Sequence, residues 1–239
     1  MQKEKVIEIV EKELKNFASK DNRIAKVFLF GSLINGNFWE ESDVDVLMLV
    51  FRDKEEIYNK FMDDFYDLSL KIAHYIDPHI YTIYEFVAEK SLFLKKVKSN
   101  LKEVWSMSEK ELFENEAKDL LLLAEEYKNM AENLMEIKKY RGVCDLAYNC
   151  IELCAKALIL LKAKSIPKTH KGVISQFGKL YVATDEAEKE LGRNLSKCFD
   201  KRNKARYEPL SEIKEEDAKL CLKTAGDFIK LLKERLKIH

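Results

Sequence analysis

The sequence predicts an α/β domain with a small mixed sheet, followed by an all-α helical bundle. Three observations carry this. Two short apolar runs, residues 27–30 and 44–51, bracket a Gly31-Ser32 turn and the tetrapeptide Ser42-Asp43-Val44-Asp45, as strands do where they end at polar side chains. Beyond residue 109, apolar residues recur at helical spacing almost without interruption. Only 7 Gly and 3 Pro punctuate 239 residues, 35% of them charged, so loops are short and helices many.

Taken in order, Val6, Ile9, Val10, Leu14 and Phe17 form the apolar face of a first helix that packs on the sheet. The strand at 27–30, the Gly-Ser turn with a short helix, and the strand at 44–51 follow. Ile57, Phe61, Phe65, Leu68 and Ile72 then mark one face of a helix over 54–75. Residues 76–83 read as a strand with Asp77, His79 and Tyr81 on one face; Pro78 lacks an N–H, which puts this strand at an edge or in a bulge. Residues 84–105 resume helical spacing and complete a first domain, 1–108. The second domain, 109–239, holds helices at 114–139, 145–164, 172–182, 186–206 and 215–236, with Gly142 as the first break and a loop over 165–172.

Composition narrows the function classes. Forty-two basic residues balance 42 acidic ones, so no overall basic field draws in nucleic acid, and polymerisation on it is disfavoured; nucleic acid as a partner is left open. With 46% hydrophobic residues the chain can fill packed cores. The first twenty residues are too charged for a signal peptide and no apolar run spans a bilayer, so the expectation is a cytoplasmic protein without a membrane partner. Cys144, Cys150, Cys154, Cys198 and Cys221 form no Cys-x-x-Cys pair, and the expectation is core packing rather than zinc.

The chemistry concentrates between residues 31 and 77. Alternate side chains of a strand share a face, so Asp43 and Asp45 project together, about 7 Å apart along the chain. Paired carboxylates at a sheet mouth suit Mg²⁺, which takes oxygen ligands and keeps substrate phosphates in its shell. A Gly-Ser turn leading to a helix offers N–H groups and a hydroxyl to phosphate. Together these describe a nucleoside triphosphate site.

The pattern Gly31-Ser32, Gly36, Ser42-Asp43-x-Asp45 resembles the signature of the DNA polymerase β superfamily, closest to the minimal nucleotidyltransferases of prokaryotes. The resemblance implies transfer of a nucleoside monophosphate from a nucleoside triphosphate, ATP first, to a hydroxyl acceptor. It implies two Mg²⁺ held by Asp43, Asp45 and a third carboxylate, a place that Asp77 fits, with Gly31 and Ser32 at the β- and γ-phosphates. His79 reads either as an alternative ligand or proton carrier, or as a half-exposed strand histidine. Relatives often carry a basic residue before the second glycine where Asn35 stands, which implies weaker triphosphate binding.

The second half resembles a HEPN domain. The resemblance rests on Ala147-Tyr148 with Ala155-Lys156-Ala157-Leu158, on residues 167–173 (Pro-Lys-Thr-His-Lys-Gly-Val), and on residues 202–208 (Arg-Asn-Lys-Ala-Arg-Tyr-Glu). HEPN ribonucleases carry an Arg followed four to six residues later by His; here Tyr207 stands at the four-residue spacing and no His follows before His239. Tyrosine, with an ordinary pKa of about 10, is a poor proton carrier at neutral pH, so this half is expected not to be a ribonuclease. The resemblance implies a homodimer through the HEPN half, or acceptor binding there, with Arg202, Arg206 and Tyr207 as a possible site: the arginines for phosphate or for a solvated face, Tyr207 as a nucleotidyl acceptor. An aminoglycoside-modifying enzyme shares this two-domain plan. The main alternative is a nucleotide-binding, toxin–antitoxin-like regulatory module without transfer.

Overall fold

The computed structural model describes residues 3–238. The chain divides after residue 112 into two compact units. In the first, α1 (Lys3–Ala18) precedes β1 (Ile24–Leu29), α2 (Ser32–Asn35), β2 (Val44–Val50), α3 (Lys54–Ile72), β3 (Ile76–Thr82), α4 (Ile83–Val87), α5 (Leu92–Val97) and β4 (Lys102–Ser106). The strands form one sheet in the order β3-β2-β1-β4. β1 runs antiparallel to both β2 and β4, while β2 and β3 are parallel and joined through α3, so the sheet is mixed.

The two faces of the sheet are packed differently. Val27, Leu29, Val44, Val46, Met48 and Val50 meet the apolar stripes of α1 and α3. In α3 all five stripe residues, Ile57, Phe61, Phe65, Leu68 and Ile72, are buried. Each contributes about 1.5–3 kcal/mol by leaving water, against a few tenths per residue from helix propensity, so packing decides this helix. On the other face Phe28, Phe30, Leu47 and Leu49 gather a smaller cluster with Tyr81, Phe86 and Phe93. Asp45 lies on that second face, where the alternation leaves the aromatic cluster and reaches water.

Pro78 sits in β3, at the sheet's edge, where a missing N–H is tolerated. One expectation fails: the helical spacing over 84–105 ends early, and Lys102–Ser106 is the strand β4 beside β1. Pairing decides it: β4 satisfies backbone groups on the free side of β1, with Val104 buried and Lys102 and Glu103 exposed. The helical part itself is broken, with Glu89 at φ 49 between α4 and α5.

The second unit contains most of α6 (Glu109–Glu136), then α7 (Tyr140–Ala163), α8 (His170–Phe177) running into a wide turn at Gly178–Val182, α9 (Lys189–Tyr207) and α10 (Glu215–Leu236). Gly142 does not break the first helix. It lies in the opening turn of α7, where an added Cβ would stand 2.6 Å from Leu134 Cδ1, so glycine lets α6 and α7 approach. All five cysteines are free thiols buried in this bundle, as core packing requires. Among the described residues, no helix is long and apolar enough to cross a membrane.

Candidate active site

The turn after β1 is built around one carboxylate. The Phe30 N–H donates to the Asp45 carbonyl at 3.2 Å, which keeps β1 and β2 aligned up to Gly31. Gly31 has φ +69, and a Cβ there would fall 1.9 Å from Asp45 Oδ2. Glycine is required twice, by its left-handed backbone and by the side chain pressed against it. The N–H groups of Ile34 and Asn35 both donate to the Gly31 carbonyl, at 3.2 and 3.0 Å. Among the described residues no protein acceptor takes the N–H of Ser32 or Leu33. Gly36, at φ +93, ends α2.

Ser42 closes the loop that follows. Its Oγ accepts from the Trp39 N–H at 3.1 Å, and its own N–H donates to the Trp39 carbonyl at 3.0 Å. His74 Nδ1 stands 3.0 Å from the Ser42 carbonyl, and its ring lies 4.6 Å from that of Phe38. Ser42 therefore positions the entry to β2 rather than the chemistry itself.

Parallel pairing of β2 and β3 sets Asp45 directly opposite Asp77, with His79 one step further along the same face, opposite Leu47. Asp77 Oδ2 is 3.1 Å from His79 Nε2. One ligand atom each from Asp45, Asp77 and His79 lies within 4.8 Å of the others, an arrangement able to hold a metal ion. Asp43 shares the strand face but is exposed just before β2 and is not part of this close group. Burial raises the pKa of Asp45 above its ordinary value; the charges of Asp77 and Asp43 add to the rise and His79 opposes it. Carboxylates crowded in this way accept a cation readily.

The second unit holds another polar constellation. Arg206 is bound by Asp145 through Nε at 2.6 Å and Nη2 at 3.1 Å, which raises its already high pKa. Arg202 is buried, with Nη1 donating to Asn203 Oδ1 at 3.1 Å and Nε 3.7 Å from Asp145. Its guanidinium lies over the rings of Tyr148 and Tyr207, at 6.0 and 5.6 Å. Tyr207 is 67% exposed. The three residues thus meet, but Arg206 is engaged internally. Reasoning from the sequence named Tyr148, Lys156 and His170 only as motif residues and missed Glu152 among them: buried Glu152 pairs with His170 Nδ1 at 2.9 Å and Lys156 at 3.1 Å, and Tyr148 Oη lies 3.4 Å from His170. The available signal was a lone glutamate within the apolar run of α7. Burial, with Glu152 close by, pushes the Tyr148 hydroxyl well above its usual pKa.

A family model described as HEPN domain matches residues 117–236, half of the chain. The chain belongs to the HEPN family. A second model, described as Polymerase beta, Nucleotidyltransferase, matches residues 12–106 and spans Gly31, Ser32, Asp43, Asp45, Asp77 and His79. This chain is therefore a nucleotidyltransferase domain of polymerase β type fused to a HEPN domain. Two similar proteins of Methanocaldococcus jannaschii carry toxin names. "Putative toxin MJ0605" is 37% identical over 51% of this chain and 90% of that protein. "Putative toxin MJ0142" is 31% identical over 52% of this chain and 84% of that one. A solved structure of spectinomycin adenyltransferase AAD(9) from Enterococcus faecialis with ATP and spectinomycin aligns over 96% of this chain and 98% of its own, at 15% identity and TM-score 0.35. A likeness that distant carries no argument about substrate.

Proposed function

We propose that the first unit transfers a nucleoside monophosphate from a nucleoside triphosphate, ATP first among them, to a hydroxyl acceptor. The observation that carries this reading is the group formed by Asp45, Asp77 and His79 beside the Gly31 turn, inside the segment matched by the nucleotidyltransferase model. The free N–H groups of Ser32 and Leu33 and the Ser32 hydroxyl face the task of binding phosphate oxygens. Asp43, exposed at the mouth, and Asp45, pressed against Gly31, are the carboxylates for a divalent cation, with Asp77 completing the set. Ligand atoms of Asp45, Asp77 and His79 converge within 4.8 Å of one another, which supports a cation at this place, with Asp43 just outside the group. Held there, a divalent ion, Mg²⁺ in the first instance, would offset charge developing at the α-phosphate and would acidify the acceptor hydroxyl. Asp77, 44% exposed, is open to take the acceptor proton.

The HEPN half is read as the acceptor-binding or dimerising part, joining two copies, and not as a ribonuclease. Support comes from Arg206, held by Asp145, and from the Tyr207 that replaces a histidine. The cytoplasm, where nucleoside triphosphates are abundant and free thiols persist, is the proposed compartment. The toxin names of the relatives favour one other reading, a nucleotide-binding regulatory module without transfer.

The deciding experiment is pyrophosphate release from the four NTPs with a divalent metal, while protein mass is followed. Release with a matching mass increase means self-modification, with Tyr207 the first site to map. Release without it means a small acceptor or water. ATP binding without release, even with cell extract as acceptor, would select the regulatory module.

A further inference from the structure

We infer that His79 is a direct metal ligand and that its imidazole turns the site towards Mn²⁺, or a neighbouring first-row ion, in preference to Mg²⁺. The inference rests on the nucleotidyltransferase reading of the same site and names the cation it selects. Three observations support it. The first is spacing. Ligands adjacent on an octahedral ion with bonds of about 2.1 Å lie about 3.0 Å apart, and His79 Nε2 lies 3.1 Å from Asp77 Oδ2. Asp45 completes the group within 4.8 Å.

The second observation is the fixed ring. His79 stacks on Phe93, with centroids 4.8 Å apart and planes at 28°, and meets Phe30 at 5.4 Å and 58°. An imidazole packed against two aromatic rings that also touch each other has fewer orientations open to it. Its Nε2 is aimed at the carboxylates before any ion arrives. The same Phe30 leads into Gly31, whose missing side chain lets Asp45 close in from the other strand.

The third is the charge left over. His79 Nε2 stands beside Asp77, while no Lys or Arg among the described residues pairs with Asp45 or Asp77. Two facing carboxylates and an imidazole nitrogen form a mixed donor set. Mg²⁺ favours oxygen and gives up water reluctantly, whereas imidazole raises affinity along the first-row series.

The test is pulsed electron paramagnetic resonance of Mn²⁺ bound to the full chain, with Mg²⁺ as competitor. The expected spectrum carries nitrogen modulation from one coordinated imidazole, lost in His79→Ala and kept in His74→Ala. The preference for Mn²⁺ over Mg²⁺ should fall by roughly tenfold or more in His79→Ala. Bound Mn²⁺ without nitrogen modulation, or a preference unchanged by His79→Ala, overturns the inference and leaves a carboxylate metal site standing. Mn²⁺ binding unaffected by Asp45→Asn overturns the underlying reading as well. Should His79→Ala fail to fold, the wild-type spectrum still decides, because the chain has only 4 histidines and the other three can be replaced one at a time.

Discussion

Both halves of this chain bring a histidine, carboxylates and aromatic rings together, and the two clusters are finished to different degrees. In the second unit the charges alternate: Asp145 lies among Arg202 and Arg206, and Glu152 lies between Lys156 and His170. In the first unit Asp45 and Asp77 stand opposite each other with His79 beside them and Asp43 just before β2, and among the described residues no Lys or Arg pairs with Asp45 or Asp77. A self-neutralised cluster locks helices together. A crowded, open carboxylate cluster costs stability and persists where a cation and substrate complete it. On the proposed reading the comparison sets a structural polar site against a chemical one, although both have the residue types of a catalytic centre.

The largest effect expected from breaking this contrast is on rate. Asp45→Asn should slow pyrophosphate release on the order of a thousandfold while leaving the melting temperature unchanged or slightly raised. Gly31→Ala comes next. Its Cβ would fall 1.9 Å from Asp45 Oδ2 at φ +69, so the carboxylate must move. A rate loss of roughly a hundredfold with destabilisation of about 1–3 kcal/mol is expected, measured by steady-state kinetics and urea unfolding.

On the other side of the comparison, Arg202→Ala should cost about 3 kcal/mol in urea unfolding, because it removes a buried guanidinium from between two tyrosines and Asp145. RNA degradation that disappears in this variant would contradict the reading of the HEPN half. The smallest effect is on pH. Burial raises the folded pKa of Asp45, so the folded state holds that proton more tightly than the unfolded chain. Its contribution to stability is fully present below about pH 4, the unfolded value, and is lost as pH rises through the raised folded value. Chelator-treated wild type should therefore fall behind Asp45→Asn as pH rises, by on the order of 1 kcal/mol or less after solvent screening, in melts taken from acid to neutral pH.

Much of the fold was legible because burial follows period. The stripe from Ile57 to Ile72 and the edge placement of Pro78 were both visible in the sequence. β4 was not, because five residues carry too little pattern to separate a strand from the end of a helical run; its partner β1 decides. At the candidate site, the Gly31 turn after β1 and the place of Asp45 in β2 were legible from local spacing. That Asp77, with His79 as an alternative, would join Asp45 was implied by the resemblance rather than by local pattern, and the place of Asp43 outside the close group was not foreseen, since the grouping depends on parallel register between strands joined through α3. Glu152 and His170 meet across 18 residues and two helices, a contact no local pattern encodes.

The most direct test of the contrast is a paired measurement of pyrophosphate release and melting temperature in Asp45→Asn and Glu152→Gln. The account predicts a crossed result. Asp45→Asn keeps its stability and loses its rate; Glu152→Gln melts lower, yet turns over normally at temperatures where it remains folded. Wild-type rates in Asp45→Asn, or a folded Glu152→Gln without activity, would contradict it.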